Sequence, residues 1–117
     1  MYKYTCIVNR IVDGDTVDVD IDLGFGVWLK NRRVRIFGID APEIRTRDLQ
    51  EKELGYESKE YVEKLLPAGS NAILVSKEFQ GKYGRIIGDF EVYDSVYDAI
   101  RNLSEIMIRD GVADIYG

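Results

Sequence analysis

Apolar and acidic residues alternate strictly in one short stretch: Val17, Val19, Ile21 and Leu23 interleave with Asp18, Asp20 and Asp22. A period of two predicts a strand over residues 16–23 that buries one face and turns the acids to water. Residues 2–12, rich in β-branched and aromatic side chains, read as a preceding strand, and Asp13-Gly14 is a turn signal between the two. Gly24-Phe25-Gly26 makes the next bend. Residues 27–39 then give a long third strand, with Val34, Ile36 and Gly38 on one face and Arg33, Arg35 and Phe37 on the other. Pro42 has no amide hydrogen to donate and ends the pairing. A loop of roughly a dozen residues follows, a length that draws attention as functional. Leu54, Ser58, Tyr61, Val62, Leu65 and Leu66 recur at helical spacing and predict a helix over 55–66, closed by Pro67. Residues 71–77 and 85–92 read as the fourth and fifth strands. Asn102, with Glu105 three residues on, has the form of a capping box opening a short helix over 103–110, with Gly111 as its stop. Residues 91–101 form a long connection without an assigned role. Three strands, a helix, two strands and a helix describe a mainly β, α+β class. The arrangement is a five-stranded Greek-key barrel of the oligonucleotide-binding (OB) type, as a single domain over 1–117.

Composition narrows the chemistry. The chain has 117 residues, no histidine and one cysteine, Cys6. Mechanisms with a histidine base, an imidazole metal ligand, an internal disulfide or a thiolate cluster are therefore excluded. No apolar run approaches the about 18 residues of a membrane-spanning helix. The start shows no apolar leader core, so a cytoplasmic location is expected unless the chain is a processed fragment. Cys6 reads as a small buried hydrophobe, and Trp28, Phe25 and Tyr93 read as core or barrel-mouth packing. The net charge is −5, which alone argues against tight nonspecific binding of nucleic acid. Residues 28–47, however, carry six basic groups against Asp40 and Glu43, a local excess of +4 in an acidic protein. Such an island holds a polyanion locally, or is simply a solvated strand face.

Three clusters carry candidate chemistry, and each also has a plain structural reading. Asp13-Gly14-Asp15-Thr16 is a hairpin turn, but Asp15 stands at the start of a strand rather than in the turn. Residues 35–43 place Arg35, Asp40 and Glu43 around Gly38 and Pro42. A regular strand points Arg35 and Asp40 oppositely, whereas a bend at Gly38 brings them together. Lys82-Tyr83-Gly84-Arg85 is a basic turn. Together, Asp15, Asp40 and Glu43 are three carboxylates at the ends of neighbouring strands, with Arg35 and Arg85 available to the same region. Carboxylates held close require a cation or a proton. Oxygen-only donors select calcium or magnesium over zinc or copper. Two guanidiniums beside a hard cation are what is needed to hold and activate a phosphodiester.

With these pieces in view, the chain resembles the staphylococcal nuclease (thermonuclease-like) family. The matching segments are IVDGDTV at 11–17, VRIFGIDAPE at 34–43, GYESKEYVEKLL at 55–66, KYGRIIGDF at 82–90 and LSEIMIRDGVADIY at 103–116. The resemblance implies an OB barrel and calcium-dependent hydrolysis of DNA and RNA, preferably single-stranded, with little sequence preference; calcium is favoured over magnesium. It implies that Asp15 and Asp40 give carboxylate oxygens to the ion. Ala41, where the family often has threonine, gives its backbone carbonyl. Glu43 is then the general base or orients the attacking water, and Arg35 and Arg85 stabilise the phosphate transition state. Lys82, Tyr83 and Tyr116 contact the substrate, and Asp13 supports the turn. The 5′-oxygen leaves, so products end in 3′-phosphate. The chain departs from the family in a less basic loop over 44–54 and in lacking a third, C-terminal helix. That lack leaves room for a dimer or a partner. The alternative readings are a non-catalytic barrel that binds single-stranded nucleic acid or a protein partner, and a structural domain of a larger assembly.

Overall fold

The computed structural model describes residues 2–80 and 84–116. In chain order the elements are β1 (Lys3–Asp13), β2 (Thr16–Asp22), β3 (Trp28–Ile36), β4 (Ile39–Asp40), α1 (Leu49–Leu65), β5 (Asn71–Gln80), β6 (Arg85–Asp94), β7 (Ala99–Asn102), α2 (Leu103–Arg109) and β8 (Asp114–Ile115). The strands β3-β2-β1-β5-β6 lie side by side, and a pairing between β3 and β6 closes them into a five-stranded barrel. The seam is parallel and short: Val34, Arg35 and Ile36 lie opposite Ile86, Ile87 and Gly88. The other barrel pairings are antiparallel. This is the expected mainly β, α+β OB architecture.

The alternation in β2 works as the period of two requires. Val17, Val19 and Ile21 are buried with Val8, Val34, Ile36, Leu74 and Phe90 in one core, which α1 caps with Val62 and Leu66 and α2 with Leu103, Ile106 and Met107. Each such side chain, fully withdrawn from water, stabilises the fold by about 1.5–3 kcal/mol. The outward acids are used rather than merely solvated. Asp18 accepts from Arg33 and lies 3.4 Å from Arg10, and Asp20 accepts from Asn9 and from the Asn31 amide. The Asn31 amide and the Asn9 side chain hold the Asp20 carboxyl below the usual range. The basic island on β3 is thus partly neutralised by β2.

Several expectations need correction. The third strand is not continuous over 27–39. Gly38 turns the chain with φ +78°, so β3 ends at Ile36 and β4 begins at Ile39. Helix α1 begins at Leu49 rather than at Gly55, because Asp48 caps it by accepting from the amides of Gln50 and Glu51. The preceding loop is correspondingly shorter. Residues 91–101 are not a bare connection: β6 and β7 pair there as a hairpin, with Tyr93 opposite Ile100. Asn102 does occupy the N-cap of α2, but its side chain makes no capping bond. The Ser104 amide and hydroxyl instead donate to Asp89 of β6, a buried carboxylate whose pKa desolvation raises. Leu23, Phe25 and Tyr93 are exposed, Phe25 fully so on the tip of its bend, while Cys6 is buried as expected. No helix among the described residues is long and apolar enough to cross a membrane.

Candidate active site

The β1–β2 turn carries Asp15 into the protein. Its side chain is nearly buried, and both oxygens are engaged: Oδ1 accepts from Thr16 Oγ1 at 2.9 Å and Oδ2 from the Ala41 amide at 3.0 Å. The Asp15 carbonyl accepts from the Ile36 amide at 2.8 Å. The turn is therefore stitched to the end of β3 on one side and to the segment after β4 on the other. It can lie this close because residue 14 is glycine. A Cβ there would stand 2.0 Å from Ser58 Oγ and 3.0 Å from Ala41 Cβ. Ser58 Oγ is buried and has no hydrogen-bond partner among the described residues.

Arg35 reaches two carboxylates. Its Nη1 lies 3.4 Å from Asp15 Oδ2 and its Nη2 3.5 Å from Asp40 Oδ1. The bend at Gly38 makes this possible, since it turns Asp40 back toward the face that Arg35 occupies. The guanidinium offsets the repulsion between Asp15 and Asp40. β8 adds a third feature. Its pairing with β4 sets Ile115 opposite Ile39, and the Tyr116 amide donates to the Gly38 carbonyl at 3.0 Å. The Tyr116 ring then lies 5.5 Å from the Arg35 guanidinium carbon, within cation–π range.

Glu43 is positioned by α1. Gly55 presses the helix backbone onto the 42–43 segment so closely that a Cβ there would stand 2.9 Å from the Pro42 carbonyl oxygen and 3.0 Å from the Glu43 carbonyl carbon and oxygen. The Glu43 amide also points to Glu51 Oε1 at 3.4 Å. So placed, Glu43 lines a cleft of about 830 Å³ together with Arg35 and Arg85. Arg35 and Arg85 also line a second cleft of about 360 Å³, walled by Phe37 and Tyr116. The two arginines thus stand where the two clefts meet.

The structure therefore brings Arg35, Arg85 and Glu43 to one cleft and joins Asp15 to Asp40 through Arg35. It does not gather Asp15, Asp40 and Glu43 around one point: among the described residues no three acidic or thiol side chains stand close enough to hold a metal ion. Lys82 and Tyr83 lie outside the described residues. Asp15 and Asp40 offer oxygen donors only, the kind that a hard cation takes. Two carboxylates already bracket a positive charge. A neighbouring cleft of about 370 Å³ is lined by Asp40, Glu43, Asp48, Glu51 and Asp114. Its acid lining attracts cations, and its oxygen donors suit calcium or magnesium. Sequence reasoning missed Arg10, Tyr56 and Lys59, which line the larger cleft. Tyr56, Lys59 and Glu63 share one face of α1 by their spacing, and that signal was legible.

Residues 33–117 match the model of a family described as staphylococcal nuclease homologue. The chain is 27% identical to Endonuclease YhcR of Bacillus subtilis over 97% of its own length and 9% of that protein's. It is 28% identical to the uncharacterized protein MJ1439 of Methanocaldococcus jannaschii over 93% of its own length and 58% of that protein's. It is 26% identical to a thermonuclease of Staphylococcus intermedius over 79% of its own length and 51% of that protein's. The chain thus spans less than two thirds of each of these relatives. With a matching family model over most of its length, on a closed OB barrel, the chain belongs to the staphylococcal nuclease homologue family.

Proposed function

We propose that the chain is a nuclease that hydrolyses phosphodiester bonds of DNA and RNA, preferring unpaired strands. The observation that carries this reading is the convergence of Glu43, Arg35 and Arg85 on one cleft, with a carboxylate pair directly behind Arg35. The nuclease names of two relatives support it. Asp15 and Asp40, with the Ala41 backbone carbonyl, would hold the cation, calcium in preference to magnesium. When bound, such an ion supplies positive charge beside the phosphate and lowers the barrier to approach of a nucleophile.

The remaining work falls to the protein's own groups. Arg35 and Arg85 hold the phosphate by charge-assisted hydrogen bonds, which strengthen as negative charge grows on the non-bridging oxygens. Glu43 takes, or orients, a proton of the attacking water. Departure of the 5′-oxygen leaves a 3′-phosphate. Phe37 and Tyr116, both exposed, offer rings against which unpaired bases stack, the basis of the single-strand preference. Lys82 and Tyr83 would add substrate contacts, as the family resemblance implies.

The test is cleavage of single-stranded DNA in calcium, in magnesium and in excess chelator, with Glu43→Gln purified in parallel. The expected result is cleavage in calcium that chelator abolishes and that Glu43→Gln lowers by about 10²–10³. Strand binding by a folded parent without cleavage in any condition overturns the enzyme reading and leaves a non-catalytic strand-binding barrel.

A further inference from the structure

We infer that the chain associates as a two-fold dimer, in which Phe25 of each copy fills an apolar hole beside Phe25 of the other. This inference stands apart from the nuclease reading and concerns a different face. The hole, of about 400 Å³, opens at the barrel end made by the start of β1, the end of β2 and the start of β3. Ile21 and Leu74, both buried in the core, line it with Tyr4 and Leu29, and Tyr2 and Phe79 stand exposed at its rim. Among the described residues no helix contributes to its lining, so this end of the core lies open to water. A dry cavity of about 150 Å³ already takes a benzene ring, so the hole has room for a phenyl ring.

Beside it stands an apolar side chain without a place in its own chain. Phe25 is fully exposed and has φ +56°, in the left-handed region that residues other than glycine rarely enter. Its turn is braced against folding the ring back. The Leu23 amide donates to the Val27 carbonyl at 2.8 Å, the Val27 amide to the Gly24 carbonyl at 3.0 Å and the Gly24 amide to Asp22 Oδ1 at 2.8 Å. Leu23 belongs to this turn and also lines the hole, so knob and hole are neighbours on one face. A two-fold axis between them carries each knob to the other copy's hole, and the contact closes on itself rather than propagating into a fibre.

Charge and area both suit a second copy. Asp22 flanks the knob and Lys77 lines the hole. The axis that brings knob to hole therefore brings these opposite charges together twice. Lys30, on the other strand below the knob, is paired within its own chain to Asp20 at 3.4 Å. Glu78 lies where the hole adjoins the smaller cleft. Tyr2, Leu23, Phe25, Val27 and Phe79 together expose roughly 600 Å² of apolar surface, counting about 200 Å² for a whole aromatic side chain. Two copies then bury about 1,200 Å², the lower limit of a specific, stable interface.

The experiment is sedimentation equilibrium from about 1 μM to about 300 μM protein. The parent is expected to pass from the 13.4 kDa of one chain to twice that mass. The variants are Phe25→Ser, which removes the knob, Phe79→Asp, which spoils the rim of the hole, and Leu49→Ser, an exposed control on α1 away from this face. All three positions are exposed, and circular dichroism checks that each variant keeps the parent's fold. Phe25→Ser is expected to raise the dimer Kd by about 10²-fold or more, since each dimer loses two buried rings. Phe79→Asp is expected to weaken it and Leu49→Ser to leave it unchanged. A mixture of Phe25→Ser with Phe79→Asp has one intact knob-and-hole pair per heterodimer and is expected to associate more tightly than either variant alone. A mixture no tighter than its components overturns the exchange. A parent that stays monomeric to about 300 μM, or a dimer that Phe25→Ser leaves unchanged, overturns the dimer at this face. Should a monomeric parent sediment with phosphatidylcholine vesicles and Phe25→Ser not, the knob serves a lipid surface in place of a second copy.

Discussion

Replacing Gly55 by alanine sets two effects of known size against each other. In a helix interior the change is favourable by about 1 kcal/mol, because alanine restricts the unfolded chain and suits the helix. At this site the added Cβ meets the Pro42 carbonyl oxygen at 2.9 Å and the Glu43 carbonyl carbon and oxygen at 3.0 Å. Those are backbone atoms, which no rotamer change removes, so the 42–43 segment must shift by a few tenths of an ångström. Overpacking of this kind costs about 1–3 kcal/mol. The steric cost wins, and the net expectation is a loss of about 1 kcal/mol and a Tm about 4 °C lower. Activity is the sharper readout. Misplacement of a reacting group by about 1 Å costs up to about 10² in rate, so a shift of this size in Glu43 is expected to lower kcat about tenfold with KM little changed. The assay is single-turnover cleavage of single-stranded DNA by the parent, Gly55→Ala, Glu43→Gln and the double variant. Because Gly55 acts only through Glu43, the double variant is expected to be no slower than Glu43→Gln alone. A Gly55→Ala protein with a raised Tm and unchanged kcat refutes the packing argument. The same rate loss in the Glu43→Gln background refutes the positioning argument.

Three further outcomes are expected. Ser58 Oγ is a buried hydroxyl without a partner among the described residues, so Ser58→Ala is expected to hold or raise the Tm in a thermal melt. Gly14→Ala, whose Cβ would stand 2.0 Å from that same oxygen, is expected to lose about 2 kcal/mol alone and less in the Ser58→Ala background; strict additivity sinks the proposed clash. The hydrogen bond from Arg109 holds the buried Asp94 carboxyl below the usual range. A depressed carboxylate contributes stability above its unfolded pKa of about 4 and loses it as pH falls through the lower folded value. Urea melts of the parent and Asp94→Asn should differ by a constant amount above pH 5, and the gap should narrow as pH falls below 4; a gap of unchanged size down to pH 2 rules the ion pair out as its source.

How much of this was legible beforehand depends on the range of the interaction. The buried stripe of β2 was readable because its period of two lies within seven residues, and Val17 and Val19 declare it. The start of α1 was missed because Leu49 and Leu54 are exposed and mark no buried stripe; only the capping carboxylate of Asp48 announces it. The hairpin of β6 and β7 was hidden because its turn takes Asp98 through φ +49° without a glycine to advertise it. The cap of α2 comes from Asp89, fifteen positions before Ser104, beyond any local motif. Within the candidate site, Arg35, Asp40 and Glu43 stood out as a cluster, but the meeting of Arg35 and Asp40 depended on the backbone angle at Gly38. Lys59 shares a face of α1 with Tyr56 and Glu63, which spacing could show, but its meeting with Arg10 and Arg45 in one cleft could not be read, because the three come from separate segments that join only in the folded barrel.

The parallel seam between β3 and β6 bears on when the chain becomes competent. Its three paired positions join residues 52 apart in the sequence, Arg35 with Ile87 at the centre. Asp15, Arg35, Asp40 and Glu43 precede the seam's second strand, whereas Arg85 opens that strand. Contacts of such sequence separation form late, after the local hairpins have nucleated. A ribosome-bound chain that has not yet released β6 therefore holds half of its arginine pair and no closed cleft. Refolding chains should regain strand signal in circular dichroism before they regain cleavage, so that catalysis reports the last stitch of the barrel.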